Sequence, residues 1–188
     1  MNIALSIGHH PRSHGCDTID GAFTEYSLWA THLPLLRQHL EAYGHTARIV
    51  NRAQAGGSTP SFAAAACNAV HADLAIEFHF NAADTPEATG TETLYWRGSA
   101  LGKIAAEMLQ QAMTGILKLR DRGLKTVSSP NDRGYEYFHK TRMPALMLEP
   151  AFAATNAGDW ARLRDTMPAL MATLAATIHR YSEIVNNE

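Results

Sequence analysis

The chain has 188 residues, enough for one domain with a self-sufficient core. A hydrophobic fraction of 46% and a charged fraction of 18% exclude a disordered or collagen-like chain. Sixteen Lys and Arg against 18 Asp and Glu leave a net charge of −2, without the basic excess of a nucleic-acid binder, and two cysteines are too few for a thiolate zinc site or a disulfide framework. Cys16 and Cys67 are therefore expected to be reduced thiols, with Cys67 packed.

Asn2–Ile7 is a short apolar run closed by Gly8 and reads as a first strand. It has no basic start and is too short for a signal segment, and no later stretch approaches the ~18 apolar residues of a membrane span. The expectation is synthesis in the cytoplasm, no membrane insertion, and action on any external target only after release. Residues 10–22 form a polar loop. Residues 24–43 read as a helix with Thr24 as N-cap, Gly44 just past its end, and Pro34 as a kink or break. Thr46–Val50 is a second strand, 53–60 a Gly/Ser/Pro loop, and 61–71 an Ala-rich helix. Residues 74–80 and Thr91–Trp96 are the third and fourth strands, and 99–117 is helical. Residues 118–133 look like a polar loop, Tyr135–Lys140 like a short strand, and Ala145–Glu149 like a strand stopped by Pro150. Residues 159–185 read as a long helix kinked at Pro168.

Strands alternating with helices predict an α/β fold: a single domain, 1–188, with a largely parallel twisted sheet and helices on both faces. Leu28, Trp29, Leu35, Leu36, Met108, Met113, Met147 and Leu148 read as core, and Tyr95 and Trp96 as packing aromatics. No repeat, linker or appended wall-binding module is visible.

Parallel sheets gather ligands at the carboxyl ends of their strands. His9 follows the first strand, His79 lies near the end of the third, and Glu149 ends the last; Glu25 joins them from the first turn of a helix starting at the same edge. Two His and a Glu are ligands that zinc accepts, and a further carboxylate could serve as general base and then acid. Each residue also has an ordinary reading. His9 could be a turn residue, His79 a core histidine, and Glu25 a first-turn acid favoured by the helix dipole. Glu149, after Ala-Leu-Met-Leu, is the hardest to dismiss, since a lone buried carboxylate is costly. Glu77 and Asn81 share a strand side with His79 and could orient a ligand or hold substrate.

Eight segments, in order, resemble one family. They are IALSIGHH (3–10), GAFTEYSLW (21–29), RIVNR (48–52), CNAVHADLAIEFHFNA (67–82), GTETLYW (90–96), SALGKIAAEML (99–109), DRGLK (121–125) and LEPAF (148–152). Together they resemble the zinc-dependent N-acetylmuramoyl-L-alanine amidases of the Amidase_3 type, particularly phage endolysin catalytic domains. The resemblance implies His9, Glu25 and His79 as ligands of one zinc ion and Glu149 as the catalytic residue. The implied reaction is hydrolysis of the amide between N-acetylmuramic acid and L-alanine in peptidoglycan, by a monomer with no inhibitory insertion. A zinc peptidase or deacetylase, or a non-catalytic peptidoglycan-binding module, are the alternatives. The resemblance also puts Arg122 and Lys125 at the groove border, where they could meet stem-peptide carboxylates. The turn Gly8-His9-His10-Pro11 departs from the family's usual Gly-His-Gly. His10 could therefore compete with His9, and His14, Asp17 or Asp20 of the long following loop could touch metal or substrate.

Overall fold

The order of the sheet, β2-β1-β3-β6-β4-β5, decides where the polar residues meet. It was obtained from a computed structural model that describes residues 1–186. The strands are β1 (Asn2–Ile7), β2 (Thr46–Val50), β3 (Leu74–Phe78), β4 (Thr91–Trp96), β5 (Asp121–Val127) and β6 (Ala145–Glu149). The helices are α1 (Glu25–Ala42), α2 (Pro60–Ala69), α3 (Ala100–Leu117), α4 (Tyr135–Lys140) and α5 (Ala157–Val185). Strands β2, β1, β3 and β6 pair in parallel, as do β4 and β5; β4 runs antiparallel to β6. The sheet is mixed but mostly parallel, with the carboxyl ends of β1, β3 and β6 side by side.

Pleat alternation separates the two faces. Ile3, Leu5, Ile7, Leu74, Ile76, Phe78, Leu146 and Leu148 face a core shared with α1, α3 and α5. Ala4, Ala75, Ala145 and Met147 face a second core with Ala63, Ala64, Ala66 and Cys67 of α2 and Tyr137 and Phe138 of α4. Central strands β3 and β6 are buried throughout, which is why they read as unbroken apolar runs. Leu35 and Met108 are only partly buried against the first core; the other six residues expected in the core are buried.

Two expected elements are corrected. The polar stretch 118–133 contains edge strand β5, whose charged DRGLKTV sequence suits an exposed sheet edge and hides it from a hydrophobic pattern. Tyr135–Lys140 is helix α4, not a strand. Its consecutive residues Tyr137 and Phe138 are both buried, which a half-exposed strand cannot achieve but a helix turn packed against α2 can. Neither Pro34 nor Pro168 breaks its helix. Both lie on exposed faces, where water can serve the carbonyl each proline leaves without a donor.

Thr24 does cap α1. Its hydroxyl accepts from the Ser27 N–H, and the Ser27 hydroxyl accepts from the Thr24 N–H. Cys67 is fully buried, and burial first, then the charge of Glu77, pushes its thiol up to about 12. Cys16 is exposed. In native protein a maleimide should therefore label one thiol within minutes, and a second only after unfolding. Intact mass before and after denaturant reads the count, and rapid double labelling would contradict this packing.

Candidate metal centre and active site

Gly8 lets β1 and β3 converge at their carboxyl ends. Its N–H donates to the Phe78 carbonyl at 3.0 Å. A Cβ at this position would lie 2.4 Å from that oxygen and 2.7 Å from His79 Cε1, so only glycine allows the approach. His9 follows in the left-handed region at φ 66, turning its ring toward His79. The loop after it pins the start of α1, with the Glu25 and Tyr26 N–H groups donating to the Cys16 and His14 carbonyls at 2.8 and 3.0 Å. Glu25 is thus held between the two histidines. Its Oε1 lies 2.7 Å from His79 Nδ1 and accepts from the Phe80 N–H at 3.1 Å, while its Oε2 lies 2.9 Å from His9 Nε2.

One ligand atom from each of His9, Glu25 and His79 lies within 4.8 Å of the others, the one such group among the described residues. Two imidazole nitrogens and a carboxylate oxygen are a donor set that suits zinc, three protein ligands with room for a fourth. The outer nitrogen of His79 points the other way, 3.4 Å from Glu77 Oε2. Glu77 itself is fully buried and receives Arg52 at 3.1 Å, and Arg52 also donates to the Ser58 carbonyl. A carboxylate behind a ligating imidazole fixes its tautomer and ring orientation. The residues present therefore fit a zinc ion.

Glu149 ends β6 on the same side. A cavity of about 300 Å³ is lined by His9, Glu25, His79, Asn81, Arg133 and Glu149 among others. Burial, with help from the charges of Glu25 and Glu92, raises the Glu149 carboxyl to about 7 against the opposing pull of His79 and Arg133. Its Oε2 is buried with no hydrogen-bond partner. Arg133 approaches Oε1 at 3.4 Å while bonding Asn81 and Glu92.

The family model for N-acetylmuramoyl-L-alanine amidase (Amidase_3) matches residues 3–179. The chain belongs to this family. It is 34% identical over 98 residues to N-acetylmuramoyl-L-alanine amidase LytC of Bacillus subtilis (strain 168), a match covering 51% of this chain and 18% of LytC. The fold is that of the catalytic domain of CwlV, an N-acetylmuramoyl-L-alanine amidase from Bacillus (Paenibacillus) polymyxa var. colistinus. That likeness has a TM-score of 0.80 at 19% identity, covering 97% of this chain and 98% of the other. The catalytic domain of the CD27L endolysin targeting Clostridia difficile is similar as well, with a TM-score of 0.77 at 19% identity over 95% and 96% of the two chains.

Within this amidase-family chain the other candidates sort by contact. Asp20 is turned away, accepting from the Trp160 indole at 2.6 Å and from the Thr18 hydroxyl and Ala22 N–H. His10 Nδ1 accepts the Arg12 N–H within its own turn. His14 and Asp17 are exposed and stand outside the metal-ligand group. Asn81 reaches the cavity, but Arg122 and Lys125 do not line it. Arg122 bonds Glu92 and lies over the Phe152 ring, while Lys125 donates to the Arg122 carbonyl. Sequence reading missed Arg133 and Glu92 and gave Arg52 no role. Glu92 arrives because β4 is antiparallel to β6, which sets it directly opposite Glu149.

Two titrations follow. Burial opposes charge on His79, but Glu77 and Glu25 outweigh it and hold the imidazole protonated well above its usual range. Loading the site must expel that proton. Calorimetry of zinc binding in buffers of different ionisation enthalpy should register net proton release, and affinity should fall as pH is lowered. Glu149 has the opposite consequence for the metal-free fold. Its raised carboxyl keeps a proton that the unfolded chain surrenders near 4.5, so its contribution to stability is lost as pH rises from 4.5 through about 7. Glu149→Gln should match the parent near pH 4.5 and exceed it at pH 8 by up to roughly 3 kcal/mol. Thermal melts across that range would show a widening gap; a constant one would refute the assignment.

Proposed function

We propose that the chain is a zinc-dependent N-acetylmuramoyl-L-alanine amidase that hydrolyses the amide joining the lactyl group of N-acetylmuramic acid to L-alanine in peptidoglycan. The observation that carries this reading is one cavity holding both the His9–Glu25–His79 donor set and a buried, partnerless carboxylate oxygen of Glu149. Membership of the family supplies the substrate class. A zinc ion held by the three donors would polarise the scissile carbonyl and acidify water.

The protein's own groups divide the remaining work. Glu25 is an anion throughout. In the metal-free site burial resists its charge, yet the hydrogen bonds from His79 and His9 prevail and hold it down at about 2, so it is already an anion when an ion arrives. Glu149, at about 7, is half ionised near neutrality and can take a proton from attacking water and return it to the departing amine. Glu77 and Arg52 keep the His79 ring oriented from behind. The elements between His79 and Glu149 are β4, α3, β5 and α4, all parts of the fold, which supports a site that needs no release from an inhibitory helix. We further read residues 1–188 as one catalytic unit, monomeric, made in the cytoplasm and acting on the wall after release in the manner of an endolysin. No helix among the described residues is long and apolar enough to cross a membrane.

Digestion of purified peptidoglycan followed by mass spectrometry should give stem peptides with a free L-alanine amine. A chelator should abolish the products and zinc restore them. Glu149→Gln should keep its zinc yet lose roughly 10²- to 10⁴-fold in turnover. Cleavage between sugars or within the peptide would overturn the bond assignment, and an active Gln variant would overturn the base.

A further inference from the structure

We infer that Arg133 is a positioning residue for Glu149, holding its carboxylate in the one orientation from which it serves the reacting water. The inference rests on the reading of Glu149 as the catalytic base. The two oxygens of Glu149 are not equivalent. Oε1 faces Arg133 at 3.4 Å, whereas Oε2 is buried without any hydrogen-bond partner. A carboxylate with two free oxygens rotates about its last bond. One tethered by a cation offers a defined lone pair, and placement to within about an ångström can decide two orders of magnitude in rate.

Arg133 is itself unusually well held for a side chain half exposed to solvent. It donates to Asn81 Oδ1 at 2.8 Å and to Glu92 Oε1 at 2.6 Å. Glu92 is buried, and its second oxygen accepts from Arg122 Nε at 2.8 Å. Arg122 is steadied in turn by the Phe152 ring, 4.8 Å from its guanidinium carbon. The backbone before Arg133 is closed into a turn, with the Ser128 and Ser129 N–H groups both donating to Asp132 Oδ2 at 2.7 Å. The chain Arg122–Glu92–Arg133–Glu149 thus runs from an aromatic face to the catalytic carboxylate. The two hydrogen bonds of Arg133 both go to acceptors fixed within the protein, which favours positioning over substrate capture. This places Arg122 in a supporting role three contacts away from the catalytic carboxylate.

The test is steady-state kinetics of the zinc-loaded enzyme on purified muropeptides, for the parent, Arg133→Ala, Arg133→Lys and Glu149→Gln, with melting midpoint and zinc content measured on each. Arg133→Ala should lose roughly 10- to 100-fold in kcat with KM nearly unchanged. Millimolar ethylguanidinium should restore part of that loss, Arg133→Lys should fall between Ala and parent, and Glu149→Gln should not respond to ethylguanidinium. A raised KM with intact kcat would make Arg133 a substrate-binding group and overturn the inference. So would parental kinetics in Arg133→Ala, or a loss that tracks falling zinc content or melting midpoint and ignores ethylguanidinium. An active Glu149→Gln would instead sink the underlying base assignment, which keeps the two failures apart.

Discussion

Four carboxylates, Glu25, Glu77, Glu92 and Glu149, lie buried along one edge of the sheet, and the rest of the cleft answers to the cost of keeping that charge out of water. Glu25 is met by two imidazoles and a backbone N–H, Glu77 by Arg52 and His79, and Glu92 by two arginines. Of the four, only Glu149 has an oxygen with neither a hydrogen bond nor an ion-pair partner, since Glu77 Oε2 has the His79 ring beside it. The difference in supply separates their chemistry. Carboxylates with full sets of donors are locked as anions, and the one left short holds its proton into the neutral range. Environments that push similar groups apart in this way are how one site obtains both fixed charge and a mobile proton.

The small residues of the sheet serve the same end. Ala4, Ala75 and Ala145 turn toward α2, whose own inner face is Ala63, Ala64 and Ala66. Little side-chain bulk separates helix from strands there, and the turn at residues 52–55 packs on α2. Arg52, from that turn, can then reach Glu77 beneath the histidine. On the opposite face, large aliphatic and aromatic side chains hold α1, α3 and α5 and supply most of the apolar burial.

What was legible in the sequence is whatever the chain punctuates locally. Gly8 after an apolar run, Pro150 after another, and Thr24 before a helical period mark the strand ends and the helix start that carry His9, Glu149 and Glu25. Central strands declare themselves by composition because both faces are covered. That these residues form one set came from the ordered family resemblance, since their spacing along the chain carries no such signal. Strand direction left no local trace. Nothing in GTETLYW says that β4 runs against β6, so Glu92 could not be set opposite Glu149. Edge strand β5 is disguised by its charges, and Arg133, in the turn beyond it, shared that disguise. Reaches of this kind, Arg133 to Glu92 and Arg52 to Glu77, depend on three-dimensional juxtaposition that no periodicity encodes.

The loop behind His9 is fastened far along the chain. Ile19 donates to the Ala153 carbonyl, and Asp20 accepts from Trp160, a partner 140 residues later. Contacts of such separation form late, because the intervening chain must first be closed into a loop. During synthesis, a chain that has already made both histidines and Glu25 still lacks the strand that ends in Glu149 and the first turn of α5 that ties the loop down. The cleft of this amidase-family chain is thereby left unassembled until β6 and the start of α5 have both been made.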